Sequence, residues 1–554
     1  MKKAALHNLG CKVNAYETEA MQQLLEQAGY EIVPFTEQAD VYVINTCSVT
    51  NMADRKSRQM LHKAKKENPD SIVVAAGCYV QTSSEEAARD LSVDIIIGND
   101  KKHELVELIE NCMNQKKNAN EETEGVDDWK ENICDINEKG RAYEALSISR
   151  TEEHTRAFLK VQDGCNQFCT YCIIPYARGR IRSRKAEEVV REVETLAANG
   201  CKEVVLTGIH LSSYGLDHGD NLLHLIQEVH KVEGIRRIRL GSLEPGIIDE
   251  NFVKELAKLE KICPHFHLSL QSGCDATLKR MNRKYDTATY EAGCKLIRKY
   301  FTHPAITTDV IVGFPGETEE EFEATKEFLE RIHFYEMHIF KYSRRKGTKA
   351  AVMPDQVPEQ VKTERSKVLL ALAQEMSEEF REYYVGRPEE ILLEETGEIA
   401  GNVYFTGYTK EYVKIAVPEA EGEENILVKG VVTGRISADV YRMENIEKAL
   451  VECLRLWHNF IICIRVSIRK EIDDGKSSAR SCAGFRRGRL YGLVRHRADP
   501  GAAAQCPHPR HHPADPARAR TAAPGAAAGR HPVHRCIQNG GMTHESGKHH
   551  KDPV

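Results

Sequence analysis

The stretch Ala157-Phe158-Leu159-Lys160-Val161-Gln162-Asp163-Gly164-Cys165-Asn166-Gln167-Phe168-Cys169-Thr170-Tyr171-Cys172 sets a strand-like apolar run directly before three cysteines in CxxxCxxC spacing. Three thiolates on one short loop can hold three irons of a [4Fe-4S] cube and leave the fourth without a protein ligand. A cluster needs such an open iron if a cofactor or substrate is to bind it, as catalytic zinc keeps a position that structural zinc closes. A structural zinc site would want a fourth ligand, and no Cys or His follows at finger spacing.

Downstream of this loop, strand-like and helix-like segments alternate for about six units, with candidate strands near Phe158, Val204, Ile238, His267, Thr308 and His338. The fold class is α/β, and the count suggests an open, partial (β/α)6 barrel, although counting also leaves room for a doubly wound sheet. Upstream, apolar runs at 4–9, 41–45, 72–76 and 94–97 alternate with helix-like stretches at 18–28 and 53–66, the pattern of a parallel β/α domain. The polar region between them reads as a linker. A helix over roughly 358–383 leads into short β-like runs at 402–405, 412–417 and 427–436, which fit a small all-β barrel. The expected divisions are 1–113, a linker at 114–150, 151–383, 384–447, and a tail at 448–554. That tail is rich in Arg, Ala, Pro and His without apolar periodicity, and reads as disordered or as the product of a shifted reading frame.

A chain of 554 residues exceeds what one core supports, in keeping with several domains. His7, Asn8 and Gly10 interrupt the first apolar run before it reaches signal-peptide length, and charges interrupt the apolar stretch near 449–466. We therefore expect a cytoplasmic protein with no membrane partner. In that reducing setting the 17 cysteines favour metal or redox use over disulfides. The net charge of −6 conceals an uneven distribution: residues 475–554 carry 14 Lys or Arg against 4 Asp or Glu, so the rest stands at 63 − 79 = −16. Overall charge thus gives no support for a nucleic-acid partner, which needs only a local basic surface.

A second set of cysteines is spread wider. Cys11 in Leu9-Gly10-Cys11-Lys12-Val13-Asn14, Cys47 in Asn45-Thr46-Cys47-Ser48 and Cys78 in Ala76-Gly77-Cys78-Tyr79 each follow a strand-like run and precede a probable helix. Parallel strands gather their carboxyl ends on one sheet edge, so the three thiols should converge. That matched position favours a second cluster over three buried thiols. Cys112, Cys134, Cys201, Cys263, Cys274 and Cys294 show no such pattern and read as structural.

The CxxxCxxC loop in this setting resembles the radical S-adenosylmethionine (SAM) superfamily. The resemblance implies that the open iron chelates the amino and carboxylate groups of SAM, whose reductive cleavage yields a 5′-deoxyadenosyl radical. It also marks three later strand ends as SAM contacts: Thr207 and Gly208 in Leu206-Thr207-Gly208, Ser269 and Gln271 in Leu268-Ser269-Leu270-Gln271, and Asp309 and Gly313 in Thr308-Asp309-Val310-Ile311-Val312-Gly313.

Taken with the N-terminal triad and the terminal β-barrel, the chain resembles the methylthiotransferase family over about 3–444. The resemblance implies that the β-barrel is the family's TRAM domain, which binds the RNA or protein substrate. The resemblance implies two [4Fe-4S] clusters, on Cys165, Cys169 and Cys172 and on Cys11, Cys47 and Cys78, two uses of SAM, and a flavodoxin or ferredoxin as electron donor. Three substrate branches compete: N6-threonylcarbamoyladenosine in tRNA, N6-isopentenyladenosine in tRNA, and an aspartate of a ribosomal protein. The stretches Cys11-Lys12-Val13-Asn14-Ala15-Tyr16-Glu17-Thr18 and Tyr171-Cys172-Ile173-Ile174-Pro175-Tyr176-Ala177-Arg178-Gly179-Arg180 look most like the first. The implied target is position 37 in the anticodon loop of ANN-decoding tRNA. Basic runs at Arg178, Arg180, Arg182, Arg184 and Lys185 and at Lys341, Arg344, Arg345, Lys346 and Lys349, the second with Tyr342, suit phosphate and base contact, though such runs are more often solvated faces. The TRAM segment itself is acidic, with Glu389-Glu390 and Glu394-Glu395. A non-enzymatic iron-sulfur RNA-binding redox sensor would share the clusters but need no SAM pocket.

Overall fold

The computed structural model describes residues 1–118, 131–138, 140–151 and 155–448. The tail predicted to be disordered lies, but for Lys448, outside the described residues.

Six strands form the N-terminal sheet: β1 (Lys3–Asn8), β2 (Glu31–Ile32), β3 (Val41–Thr46), β4 (Ile72–Gly77), β5 (Ile95–Ile97) and β6 (Glu131–Asn132). All pair in parallel, in the order β2-β1-β3-β4-β5-β6. Every residue of β3 and β4 is buried, as expected of parallel strands covered on both faces. Val41 and Val43 pack into one core with Met21, Leu25 and Ile109, while Tyr42 and Ile44 pack into another with Leu61. Within the segment read as a linker, the helix Leu105–Asn118 extends to 118, Glu131–Asn132 adds the edge strand, and Leu146 and Ile148 enter the core of the next domain.

The second domain contributes β7 (Arg156–Asp163), the short antiparallel β8 (Arg182–Ser183), β9 (Glu203–Gly208), β10 (Arg237–Leu240), β11 (His265–His267), β12 (Ala305–Val312) and β13 (Glu336–Lys341). Strand β7 pairs with β9 and β9 with β10. A Leu243–Leu268 bridge carries the array to β11, β12 and β13, all parallel. Neighbours therefore follow chain order. A doubly wound sheet would reverse that order at a switch point, and no reversal occurs, so the architecture is a partial (β/α)6 barrel. Among the described residues β13 does not pair with β7, and the barrel stays open there. The N-terminal helix Lys12–Gln27 lies against β7, with Tyr16 and Ala20 sharing a core with Leu159 and Val161. Across the opening, Arg345 beyond β13 pairs with Asp54 of the N-terminal domain at 2.6 Å.

The helix Glu359–Glu382 leads to β14 (Pro388–Ile399), β15 (Asn402–Tyr408), β16 (Lys414–Pro418), β17 (Leu427–Arg435) and β18 (Val440–Lys448), a closed barrel in the order β14-β15-β16-β18-β17. Only β16 and β18 pair in parallel, the connectivity of a five-stranded Greek-key barrel of OB type. It docks through two fully buried arginines of β10. Arg237 donates to the carbonyls of Tyr408 (2.8 Å) and Glu390 (2.7 Å), and Arg239 to that of Lys410 (2.8 Å). Arg156 of β7 pairs with Glu394 at 3.1 Å and lies over the rings of Tyr408 and Tyr412. Acidic residues of the small barrel are thus partly matched to arginines of its neighbour. No helix among the described residues is long and apolar enough to cross a membrane.

Candidate active site

The loop after β7 carries Cys165, Cys169 and Cys172. Gly164, at φ +73°, opens it where any Cβ would collide with the carbonyl of Arg180. Backbone bonds from Cys165 N to Gly179 O (3.0 Å), Thr170 N to Met281 O (3.0 Å) and Ala350 N to Thr170 O (2.8 Å) fasten the loop. Two donors address its sulfurs: Gln167 N lies 3.5 Å from Cys165 Sγ, and Arg283 Nη1 3.2 Å from Cys169 Sγ. Burial pushes the Cys165 thiol up to about 11 and the Cys172 thiol up to about 12. Left alone these are protonated thiols at neutral pH, so iron must displace their protons to bind.

The three N-terminal cysteines meet at one sheet edge. Cys11 caps the helix Lys12–Gln27, Cys47 follows β3, and Cys78 follows β4. A Cβ on Gly10, at φ +111°, would lie 2.9 Å from both Cβ and Sγ of Cys47. Asn14 Nδ2 donates to the carbonyls of Leu9 (2.7 Å) and Thr46 (3.0 Å) and so locks the first two loops together. Burial raises Cys11, and Cys47 to about 12, and the Cys78 thiol adds to both shifts. The Cys78 sulfur receives Arg178 Nε at 3.3 Å and Asn99 Nδ2 at 3.5 Å. Each triad offers the donor set of a cubane, three thiol sulfurs, with N–H donors aimed at sulfur in the manner that tunes clusters. No disulfide links the described cysteines, and Cys112, Cys201, Cys263 and Cys294 are buried.

A buried charge network joins the two. Arg178, just past the barrel loop, is fully buried and donates to Glu17 Oε1 (2.6 Å) and Oε2 (3.0 Å), Asn14 Oδ1 (2.6 Å), Asp163 Oδ2 (3.3 Å) and the Cys78 sulfur. Lys160 completes it, 2.7 Å from Glu17 and 2.8 Å from Asp163. Arg182 and Arg184 are also buried, pairing with Asp163 and Glu192. Most of the first basic run is therefore structural, leaving Arg180 and Lys185 exposed, with Arg180 over the Phe168 ring at 4.4 Å. In the second run Arg345 and Tyr342 are buried, while Arg344, Lys346 and Lys349 are exposed, as are Arg55 and Lys56. Tyr342 is thus unavailable for stacking on a base.

Around the barrel loop the structure gathers charged residues that strand-end reading passed over. Glu244 follows β10 and receives Gln167 Nε2 (2.9 Å) and His210 Nε2 (3.0 Å), with Arg283 Nη2 3.3 Å away. Its Oε1 is buried without a hydrogen bond. Glu244 sits where the other strand-end residues sit and could have been found by that rule; Arg283 lies between helices and carries no such signal. Of the predicted contacts, Thr207 and Gly208 end β9 beside Gln162, whose Oε1 accepts from His210 N. The Ser269 carbonyl accepts from Tyr285 and Arg283, and Gln271, at φ +72°, donates its N–H to Asp309 O at 2.8 Å. Gly313 instead packs under Lys362 and donates to Glu317 at 2.9 Å. The Asp309 carboxylate lies inside the barrel with His267 and His338, one ligand atom of each within 4.8 Å of the others. Lys12, beside Cys11, reaches into the same interior.

The Radical SAM superfamily model matches residues 159–329, and that of the uncharacterized protein family UPF0004 matches 3–98. The chain is 44% identical to the Bacillus subtilis threonylcarbamoyladenosine tRNA methylthiotransferase MtaB, over 77% of this chain and 93% of that protein. It is 43% identical to the Aquifex aeolicus protein of the same name, over 73% and 95%. Identity to the Acetivibrio thermocellus tRNA-2-methylthio-N(6)-dimethylallyladenosine synthase is 37%, over 74% and 84%. Among solved structures, the radical SAM methyltransferase TsrM from Kitasatospora setae aligns with TM-score 0.47 and 16% identity, over 63% of this chain and 77% of that one.

An open barrel whose first loop presents three cysteines, matched there by the superfamily model, defines a radical SAM enzyme. With relatives of this identity along nearly their whole length, the chain belongs to the methylthiotransferase family of those enzymes. Its cofactors are SAM and two [4Fe-4S] clusters.

Proposed function

We propose that the protein converts N6-threonylcarbamoyladenosine at position 37 of ANN-decoding tRNA to its 2-methylthio derivative, in the cytoplasm, drawing electrons from a flavodoxin or ferredoxin. The observation that carries the substrate is the 44% identity across 93% of the Bacillus subtilis protein, against 37% for the dimethylallyladenosine synthase. Cys165, Cys169 and Cys172 hold the cluster that binds SAM, and Cys11, Cys47 and Cys78 hold the auxiliary cluster. When bound, SAM and its cluster supply a carbon radical able to take hydrogen from a ring carbon that has no acidic proton and no leaving group.

The chain's own residues position and shield that chemistry. Arg178 fixes the radical-generating loop against the auxiliary triad, so that one adenine can meet both. Glu244, with a spare buried lone pair, and Arg283, facing it, suit the amino and carboxylate groups of the SAM methionine. Thr207, Gly208, Ser269 and Gln271 border the same end of the barrel. Arg55, Lys56, Arg344, Lys346 and Lys349 offer exposed cations for backbone phosphates. The test is incubation of reconstituted holoenzyme, SAM and reductant with an anticodon stem-loop carrying threonylcarbamoyladenosine, and in parallel with one carrying isopentenyladenosine. Methylthiolation of the first, lost in Cys169→Ala together with SAM cleavage, is the expected result. Conversion of the isopentenyl stem-loop alone would overturn the substrate assignment.

A further inference from the structure

Inside the barrel every arginine near Lys12 has its own carboxylate. Arg239 holds Glu203 at 2.7 Å, Arg156 holds Glu394 at 3.1 Å, and Arg237 holds Glu390 at 3.5 Å. Lys12 has none. Among the described residues its ammonium takes part in no hydrogen bond, ion pair or ring contact, although Arg156, Arg239, His265 and His338 all lie within electrostatic reach. Its side chain is accessible to solvent while being surrounded by strands β7, β9, β10, β11 and β13. The barrel interior thus holds one cation left over, on a side chain that solvent reaches.

An ammonium that stands among other cations with no anion in contact gains a partner when one arrives from outside the chain. Chain position says which molecule brings it. Lys12 immediately follows Cys11, so a group that reaches its ammonium stands beside the auxiliary triad, where the molecule receiving sulfur must be. Resting on the substrate reading above, we infer that Lys12 is a specificity-determining residue that binds the carboxylate of the threonylcarbamoyl group. An isopentenyl group carries no charge and would leave the ammonium unpaired. Sites built around a polar substrate group reject the analogue that lacks it far more strongly than apolar pockets discriminate by size.

The experiment compares affinities of the reconstituted holoenzyme for two anticodon stem-loops, one carrying threonylcarbamoyladenosine and one its methyl ester, by fluorescence anisotropy. Native protein should prefer the free acid. In Lys12→Met that preference should fall about tenfold or more, and in Lys12→Arg most of it should return. Using the ratio separates recognition from misfolding, because a general structural defect weakens both ligands alike. An unchanged ratio in Lys12→Met would overturn the inference and leave Lys12 to a phosphate or to a structural role. Equal affinity of native protein for acid and ester would also overturn it, while methylthiolation of the acid stem-loop, read by mass spectrometry, would keep the substrate reading intact. Failure of native holoenzyme to methylthiolate that stem-loop would overturn both.

Discussion

Arg178 shows why a site can depend on a residue whose role its neighbours in sequence do not reveal. It stands in a run of basic residues that resembles a solvated or RNA-facing surface, yet it is fully buried. Its partner there is Glu17, on a helix of the other domain, and no local pattern announces a partner so distant. Removing one member of a buried ion-pair network leaves the rest uncompensated, which costs about 3–5 kcal/mol. Arg178→Met should therefore lower the stability of the apoprotein by that amount in urea unfolding, and a loss within the scatter of ordinary surface substitutions would contradict the account. The cysteines were the opposite case. Thiol spacing and strand-end position are local features, and the structure sets Cys11, Cys47 and Cys78 at neighbouring strand ends, as their positions in the sequence predict. Glu244 was within reach of the same rule, whereas Arg283 owes its place to tertiary packing alone.

At the scale of elements, the turn before each N-terminal cysteine matters as much as the cysteine. Gly77 ends β4 at φ +98°, and a Cβ there would come within 2.5 Å of Asn45 Oδ1 and 2.9 Å of Thr46 O. Both the dihedral strain and the contact displace Cys78, at a cost of about 1–3 kcal/mol. Gly77→Ala should lose the auxiliary-cluster signal on reconstitution while retaining the SAM cluster, separable by electron paramagnetic resonance; retention of both would show that the turn tolerates a side chain. In the small barrel, burial and the nearby Glu411 push Glu389 up to about 7, with Arg387 and Arg237 opposing. Its folded-state value lies above the unfolded one, so its contribution to stability is complete below about pH 4.5 and is lost as pH rises through 7. Glu389→Gln should accordingly raise Tm relative to the native protein at pH 8 and give no advantage at pH 5. An equal gain at both would place the cause elsewhere. Strands with apolar patterns were legible here, but Glu131–Asn132 was not: a two-residue polar edge strand is defined only by its backbone pairing with β5.

For the whole molecule, the order of strands decided between architectures that composition and counting left open. Six parallel strands in chain order make a barrel, and the missing β13–β7 pairing leaves an opening spanned by the N-terminal domain, through Tyr16 on one side and Arg345 on the other. That arrangement links the barrel-loop cysteines to the N-terminal triad through Arg178, while the small β-barrel is tied to Arg237 and Arg239. The chemistry is then set by the cofactors, and the choice of substrate by what the barrel interior admits. The most direct test of the central claim is nucleoside mass spectrometry of total tRNA from cells with and without this gene. Without the gene, 2-methylthio-N6-threonylcarbamoyladenosine should disappear while N6-threonylcarbamoyladenosine accumulates. An unchanged profile, or loss of a 2-methylthio isopentenyl nucleoside instead, would contradict it.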